Sequence, residues 1–384
     1  MSWKRAGISG ALAGACAILA PGGLVPAADP EPAAPEIDAA VARGIEFLLR
    51  AQNPDGSWGS ARRTKGLNIY APAPGAHHAF RAGTTALSIS ALVETGLDRE
   101  DVRGALDRAE SWLERRLPAV RRATPDTLYN VWAHAYGIQA LARMLRRHAG
   151  DAARCARIRE LIAGQIELLE RYETVDGGWG YYDSAVGSKK PAATTTSFTT
   201  ATVLVAFDEA RKAGVEPPER TVARALATVR RQRKPDFSYV YSEPHKYYPM
   251  YDVNRPGGSL GRSQACNLAL RLWGDERTTD EVLRTWLDRL LARNLWLDMG
   301  RKRPIPHESW FLVAGYFFYY GHYYAALCLE ELPSESRGRY REGIARILLR
   351  LQEKDGSWWD YPFYDYHQPY GTAFALMALA RSRG

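Results

Sequence analysis

The chain carries the stretch Gln52-Asn53-Pro54-Asp55-Gly56-Ser57-Trp58-Gly59, and close copies of it return twice. The copies are Asp176-Gly177-Gly178-Trp179-Gly180 and Gln352-Glu353-Lys354-Asp355-Gly356-Ser357-Trp358, and each follows an amphipathic helical pattern. We expect Asp-Gly to form the turn that ends the helix, because glycine adopts a left-handed backbone without a Cβ clash. The tryptophan is then predicted to pack back between neighbouring helices.

The spacing of these copies defines a repeat of about 60 residues. Trp58 and Trp179 are 121 residues apart, and Trp179 and Trp358 are 179 apart. A fixed period of this length is typical of repeat architectures. Asp236-Phe237-Ser238-Tyr239 is a degenerate copy at an intermediate position, and the period predicts six units.

Each unit contains two helical patterns, one before the turn and one after it. The patterns before the turns have charged faces and are predicted to be outer helices, at 41–50, 102–116, 158–172, 222–233, 281–293 and 342–351. The patterns after the turns are apolar over most of their circumference, at 84–94, 129–147, 197–213, 263–273, 310–330 and 370–380. Because such helices must be buried on most sides, we predict an all-α protein, an (α/α)6 toroid of six helix pairs with its inner ring enclosed by the outer one.

The N-terminal segment has the features of a signal peptide. Lys4 and Arg5 precede an apolar stretch at 6–20, and Val25-Pro26-Ala27 has the small-residue pattern of a cleavage site. We therefore predict a signal peptide at 1–27, a flexible leader at 28–35, and a single toroid domain at 36–384. The interpretation is export to the periplasm or secretion. A lipoprotein form is less favoured, because 13–16 is a degraded lipobox.

Composition bounds the class of protein. The chain has 384 residues, of which 46% are hydrophobic and 24% charged, as expected of a folded protein rather than a disordered one. No apolar run approaches the ~20 residues of a membrane span, so no transmembrane segment is predicted. The net charge of +8 is spread over helical segments without a nucleic-acid motif. We expect no nucleic-acid partner, and the oligomeric state stays open.

The repeated Gln-x-x-Asp-Gly-Ser-Trp-Gly after an amphipathic helix resembles the prenyltransferase and squalene oxidase repeat. That repeat occurs in squalene and hopene cyclases and in protein prenyltransferase β subunits. The resemblance covers 36–384, and 52–59 and 352–358 are its close matches. It implies a terpenoid-cyclase-like toroid, while function must be argued from the site.

The sequence departs from the catalytic motifs of that family. Its cyclases use an Asp-x-Asp-Asp motif to protonate squalene, and this sequence has no Asp-Asp dipeptide. Its protein prenyltransferases hold zinc with an Asp-x-Cys and a histidine. Asp365-Tyr366-His367 resembles the histidine part, but His307-Glu308-Ser309 stands one repeat upstream without a cysteine.

Polar and aromatic residues at the heads of the inner helices are the candidate site. His307 and His367 are one repeat apart, so we expect them side by side with Glu308 adjacent. Two imidazoles and a carboxylate could bind Zn²⁺, and could equally serve as an acid/base pair. The same cavity is predicted to contain Tyr316 and His134 as further catalytic candidates, and as ligand-binding candidates Arg262, Trp310, Tyr320, Asp365 and Tyr366.

Function stays open among three classes. The aromatic run at 316–324 could enclose an isoprenoid, another lipid or a glycan in a binding protein that does not turn it over. The alternative is an enzyme, a secreted polysaccharide lyase or glycoside hydrolase. The third possibility is a protein-interaction scaffold.

Overall fold

The computed structural model of the chain describes residues 34–65, 75–122, 130–181, 188–191 and 194–383. Within these ranges the protein is all-α, with thirteen α-helices and isolated β-bridges in place of strands. The predicted all-α class is therefore confirmed. The predicted signal peptide, and the leader up to residue 33, lie outside the described residues.

Six helices form an inner ring. They are α2 (Gly75–Thr95), α4 (Asn130–Arg147), α6 (Ser197–Lys212), α8 (Leu260–Leu272), α11 (Phe317–Glu330) and α13 (His367–Ser382). Each packs against the next in chain order, and α13 packs against α2. Because the last inner helix contacts the first, the ring is closed.

The remaining helices surround this ring. They are α1 (Ala34–Ala51), α3 (Glu100–Arg116), α5 (Ala152–Tyr172), α7 (Glu219–Gln232), α9 (Asp280–Ala292), the short α10 (Asn294–Asp298) and α12 (Gly338–Arg350). Except for α10, each buries one apolar side against the inner ring and carries charged residues on the other side. The described helices thus form the two concentric layers of an α/α toroid.

Two inner helices begin away from their predicted positions. The helix predicted from residue 84 begins at Gly75, so its polar first turns also belong to α2. The helix predicted from Trp310 begins at Phe317. The backbone of His307, Phe311 and Leu312 has φ of 64°, 60° and 52°, which an α-helix cannot contain. Residues 301–316 therefore form a loop at the mouth of the ring.

The repeated tryptophan turns hold successive units together. The Trp58 indole Nε1 donates to the carbonyl of Leu48, 2.8 Å away, and the Trp58 backbone N–H donates to Thr85 Oγ1. Gly56 has φ of +94°, and a Cβ there would lie 2.5 Å from the carbonyl oxygen of Arg108 on α3. Trp179 and Trp358 repeat the indole bond with Leu169 and Leu348. All three tryptophans are fully buried, so the predicted packing role is confirmed.

The last of these turns closes the ring. The Gln352 side chain donates to the carbonyl of Ala40 on α1 at 2.9 Å and accepts from Arg43. A Cβ at Gly356 would lie 2.4 Å from the carbonyl oxygen of Arg43. The turn after α12 therefore contacts α1 as closely as the first turn contacts α3.

The end of the ring opposite the mouth contains a buried ion cluster. Arg143 of α4 contacts Glu94 of α2 and Glu209 of α6, each at 2.5 Å, and Arg381 of α13 pairs with Glu94. The pKa of Glu94 falls to about 2, because the attraction of Arg143 and Arg381 outweighs the effect of burial, which raises it. Four inner helices are thus joined by charge–charge contacts.

Two further features concern the cysteines and the helices of the described residues. Cys155, Cys266 and Cys328 are buried free thiols. Among the described residues, no helix is long and apolar enough to cross a membrane.

Candidate functional site

A cavity opens at the end of the ring where the inner helices begin. Its empty space, part of it open to solvent, is about 850 Å³, and the centre of a water molecule can occupy about 110 Å³ of it. Eleven of its sixteen described lining residues are aromatic. The aromatic residues are Phe80, Trp132, Tyr136, Tyr181, Phe198, Tyr316, Phe317, Tyr320, Tyr361, Phe363 and Tyr370, and the others are Ala79, Gly83, Thr84, Leu87 and Asp360.

Helical spacing places these rings on the inward faces. Trp132 and Tyr136 are four residues apart on α4, which puts both on one side of the helix. Trp132 stacks on Phe198 of α6 with ring centroids 5.9 Å apart, and it meets the edge of Tyr320 of α11 at 6.1 Å. Phe80 of α2 contacts Phe363 at 4.4 Å. Five different parts of the chain therefore contribute aromatic rings to the cavity wall.

Asp360 is the single carboxyl group among the described lining residues. Its side chain is buried, and Oδ2 accepts a hydrogen bond from the backbone N–H of Tyr319 at 3.1 Å. Its Oδ1 has no hydrogen-bond partner among the described atoms. Burial raises the pKa of Asp360 to about 7, against the lowering effects of the Tyr319 N–H and the Arg301 charge. Near neutral pH the group can therefore carry a proton in an apolar, ring-lined space.

Tyr316 connects the cavity wall to His307. The Tyr316 hydroxyl is 3.0 Å from His307 Nε2, and His307 Nδ1 is 2.6 Å from the carbonyl oxygen of Leu312. Tyr320 also lies in the wall, with its hydroxyl 3.0 Å from Thr202 Oγ1. Of the predicted site residues, the structure brings Tyr316 and Tyr320 to the cavity.

The predicted zinc ligands do not come together. His367 is buried, with Nδ1 2.6 Å from the carbonyl oxygen of Tyr364 and its ring against Trp359. His307 lies against Tyr316 and Tyr241 instead, and Glu308 pairs with Arg303 at 3.7 Å. Within the described ranges, no group of three or more His, Cys, Asp or Glu side chains is placed to hold a metal ion. The expected set of His307, Glu308 and His367 is not assembled, because each of the three side chains is engaged by a different neighbour: His307 by Tyr316, Glu308 by Arg303 and His367 by the Tyr364 carbonyl.

His134 and Arg262 are buried outside the described cavity wall. His134 Nδ1 is 2.7 Å from Gln165 Oε1, so the ring lies between α4 and α5. Arg262 donates to the backbone carbonyls of Tyr239 and Gly258, which fixes the segment that leads into α8. Burial lowers the pKa of the Arg262 guanidinium to about 10. Neither residue is among those lining the cavity.

Three other predicted ligand-binding residues have local roles. Trp310 is 67% exposed and stacks on Phe311 in the mouth loop. Asp365 accepts from Ser60 Oγ at 2.9 Å. Tyr366 is buried against Gly59, where a Cβ would lie 2.2 Å from its ring. These side chains position loops around the mouth.

Sequence reasoning missed Asp360. The cyclase motif contains adjacent aspartates, and no second aspartate adjoins Asp360. The sequence does contain an indication of its position. Asp360 directly follows Trp358-Trp359, so it lies between the last tryptophan turn and the inner helix that comes after it. An acidic residue between aromatic residues at that position is a candidate for the interior of the ring.

No protein-family model matches the chain, and no curated protein matches it. Solved structures do match. The type II terpene cyclase MstE from Scytonema has 16% sequence identity and a TM-score of 0.50, over 91% of this chain and 98% of that one. A family 76 glycoside hydrolase from a bovine Bacteroides thetaiotaomicron strain has 12% identity and a TM-score of 0.51, over 90% and 77% of the two chains. A possible member of the GH105 family from Salmonella enterica has 14% identity and a TM-score of 0.51, over 91% and 94%.

These similarities agree with the architecture. The toroid fold inferred from the repeat is confirmed, and the terpene cyclase among the matching structures has the fold that the resemblance implies. At these identities the matches show the fold alone.

Proposed function

We propose that the cavity binds an isoprenoid chain and that the carboxylic acid of Asp360 protonates one of its double bonds, so that the protein is an isoprenoid cyclase. The observation that carries the proposal is a buried acid, with one carboxyl oxygen that has no hydrogen-bond partner among the described atoms, in a wall of aromatic rings. A type II terpene cyclase from Scytonema shares the fold, which supports the capacity of such a ring to hold a terpenoid ligand.

The proposed cyclisation begins with a proton transfer. The Asp360 proton adds to one carbon of a double bond, and the other carbon becomes a carbocation. The electron pair of a second double bond closes a ring by forming a carbon–carbon bond. A carbon next to the final cation loses a proton to solvent, which restores a double bond. The product is therefore an isomer of the substrate, and solvent returns a proton to the Asp360 carboxylate.

The aromatic wall can stabilise the carbocation that this step creates. Aromatic faces attract cations, with a contribution of about 0.5 to 2 kcal/mol for each well-placed ring. Phe198 and Tyr320 both contact the Trp132 ring on one side of the cavity. Such rings also displace water, which would otherwise trap the cation as an alcohol.

A glycan enzyme receives less support from this cavity. Glycoside hydrolases use two carboxyl groups on either side of the bond they break, and Asp360 stands alone among the described lining residues. The wall is also predominantly hydrocarbon, whereas a glycan presents many hydroxyl groups.

Deuterium labelling tests the proposal. The purified protein is incubated with farnesol, geranylgeraniol or squalene in D₂O, and the products are analysed by mass spectrometry. We expect a cyclic product that carries one deuterium atom acquired from Asp360. Asp360→Asn should abolish its formation, while Asp98→Asn, on an exposed turn, should leave it unchanged. A cyclic product that Asp360→Asn still forms, or the absence of any product from all three probes, would contradict the proposed activity.

A further inference from the structure

The aromatic cavity has a floor. On three inner helices, the lining residues furthest from the mouth are Tyr136 of α4, Tyr320 of α11 and Tyr370 of α13. The ring of Phe374, one helical turn beyond Tyr370, contacts all three, with ring centroids 5.7, 6.2 and 4.9 Å away. Phe374 is fully buried and is not among the described lining residues. Its ring therefore lies beneath the cavity and closes it from below.

Packed side chains continue beneath this floor. The Tyr323 ring lies 5.2 Å from Phe374, and its hydroxyl accepts a hydrogen bond from Arg143 at 3.3 Å. The Arg381 guanidinium is 5.7 Å from the centre of the same ring. Arg143 and Arg381 both belong to the buried ion cluster at the other end of the ring. A column of side chains thus connects the floor to the ion cluster and holds the Phe374 ring in place.

The wall above the floor has a defined depth. On α2 the lining residues run from Phe80 to Leu87, seven positions that span about 10 Å at about 1.5 Å per residue. An extended carbon chain advances about 1.2 Å per bond, by analogy with the three bonds of an extended peptide residue, so one isoprene unit covers about 5 Å. The lining face of α2 therefore has the length of two extended isoprene units.

The volume of the cavity leads to a similar size. The centre of a water molecule can occupy about 110 Å³ of it, and one water needs about 10 to 15 Å³ of such space. The cavity thus has room for roughly seven to eleven waters. Because a methylene group is similar in size to a water molecule, about ten carbons can be enclosed, and a third isoprene unit would reach the mouth.

We infer that Phe374 limits the length of the ligand, and that the cavity takes an isoprenoid chain of two to three units, about ten to fifteen carbons. Carbons that lie above the floor leave water and add to binding, whereas carbons of a longer chain stay in water and add nothing. The inference deepens the proposed function and rests on it, because it names the class of chain that the aromatic wall encloses.

A competition among saturated alcohols tests the length limit. Tetrahydrogeraniol, hexahydrofarnesol and phytanol consist of two, three and four saturated isoprene units, and they have no double bond to protonate. The protein is incubated with an equimolar mixture and recovered by gel filtration, and the retained alcohols are quantified by gas chromatography. We expect the wild type to retain phytanol and hexahydrofarnesol in amounts within about 2-fold of each other, because the fourth unit gains no burial.

Variants of the floor should extend the limit. Phe374→Ala opens space beneath the cavity and should raise the ratio of phytanol to hexahydrofarnesol at least about 10-fold, because the fourth unit can then be buried. Phe374→Leu is a smaller change, expected to raise the ratio at least about 3-fold, and it keeps the test available if the alanine variant does not fold. Phe207→Leu truncates a buried ring of α6 outside the described lining and should leave the ratio within about 2-fold of the wild-type value.

A variant of the wall should shorten the limit. Gly83 lines the cavity, and a Cβ there would lie in ordinary contact, 3.7 Å from Ala133 and 3.9 Å from the Tyr136 ring. Gly83→Leu therefore fills part of the space and should raise the ratio of tetrahydrogeraniol to hexahydrofarnesol at least about 5-fold. Phe207→Leu again serves as the control.

The outcomes distinguish the two proposals. A wild type that retains phytanol about 10-fold over hexahydrofarnesol, or unchanged ratios in both Phe374 variants, overturns the inference and leaves the isoprenoid cavity standing. If the wild type retains none of the three alcohols, the isoprenoid ligand itself is refuted, and this inference falls with it.

Discussion

Asp360 shows how one residue acquires its chemistry from its surroundings. Its Oδ2 accepts a backbone N–H, while its Oδ1 has no hydrogen-bond partner among the described atoms. An ionised carboxyl in this position would lose its hydration, and the Tyr319 N–H and the Arg301 charge compensate for only part of that loss. The neutral acid is therefore the stable form up to neutral pH.

The raised pKa of Asp360 predicts a pH dependence of activity. The acid form exists below a pKa of about 7, so the rate of product formation should fall as the pH rises through that value. Initial rates between pH 5 and 9 would measure it. A rate that stays constant up to pH 9 would show that the proton does not come from Asp360.

The same shift predicts a pH dependence of stability. A carboxyl with a pKa of 3.8 when unfolded and about 7 when folded destabilises the protein as the pH rises between those values. The total effect is on the order of 4 kcal/mol. Asp360→Asn should therefore match the wild type near pH 4 and unfold at a higher urea concentration near pH 8. If the difference in urea midpoint between the variant and the wild type were the same at both pH values, the raised pKa of Asp360 would be contradicted.

At the scale of elements, the tryptophan turn acts as a joint between helix pairs. One indole bonds to the helix before it, while the turn glycine contacts the outer helix that follows. The two contacts fix the angle and the distance between successive units, so a local sequence motif determines the curvature of the ring.

Loss of one such joint should be costly. Trp358→Ala removes a fully buried indole and its bond to Leu348, and should lower the free energy of unfolding by about 3 to 5 kcal/mol. Trp310→Ala, at an exposed position, should change it by less than about 0.5 kcal/mol. Urea denaturation followed by circular dichroism gives both values. A loss below about 1 kcal/mol for Trp358→Ala would show that the turn does not hold the ring.

The helices could be predicted from sequence because their patterns are local. The apolar circumference of 197–212 and the charged face of 102–116 are visible in the sequence and agree with α6 and α3. The mouth could not be predicted in the same way. Trp310 was expected in a helix, but the left-handed backbone around it keeps it in a loop. The Asp360 carboxyl accepts its hydrogen bond from the backbone N–H of Tyr319, 41 residues away in the sequence. No local sequence pattern indicates that contact.

At the scale of the whole molecule, the ring has an aromatic cavity at its mouth and an ion cluster at its other end. Glu94 links α2 to Arg143 of α4 and Arg381 of α13 across the interior. Because these charges are buried, each depends on its partners for stability.

Removal of the Glu94 charge should therefore destabilise the ring. Glu94→Gln leaves Arg143 and Arg381 without this carboxylate and should cost about 3 to 5 kcal/mol. Glu46→Gln removes a carboxylate from a half-exposed pair with Arg99 and should cost less than about 1 kcal/mol. The wild type should also lose stability as the pH falls from 4.5 toward about 2, where Glu94 takes up a proton. Equal effects of the two variants in urea denaturation would refute the importance of this cluster.

The contact between the last tryptophan turn and α1 has a consequence for the biosynthesis of the protein. Gln352 and Arg43, which join there, are 309 positions apart, and the cavity wall likewise combines Phe80 with Phe363. The chain is synthesised from its N-terminus. The ring of helix pairs can therefore close only after the final unit has been made. A chain that lacks its last unit also lacks part of the cavity wall. The cavity can therefore form only after translation has passed the last tryptophan of the chain.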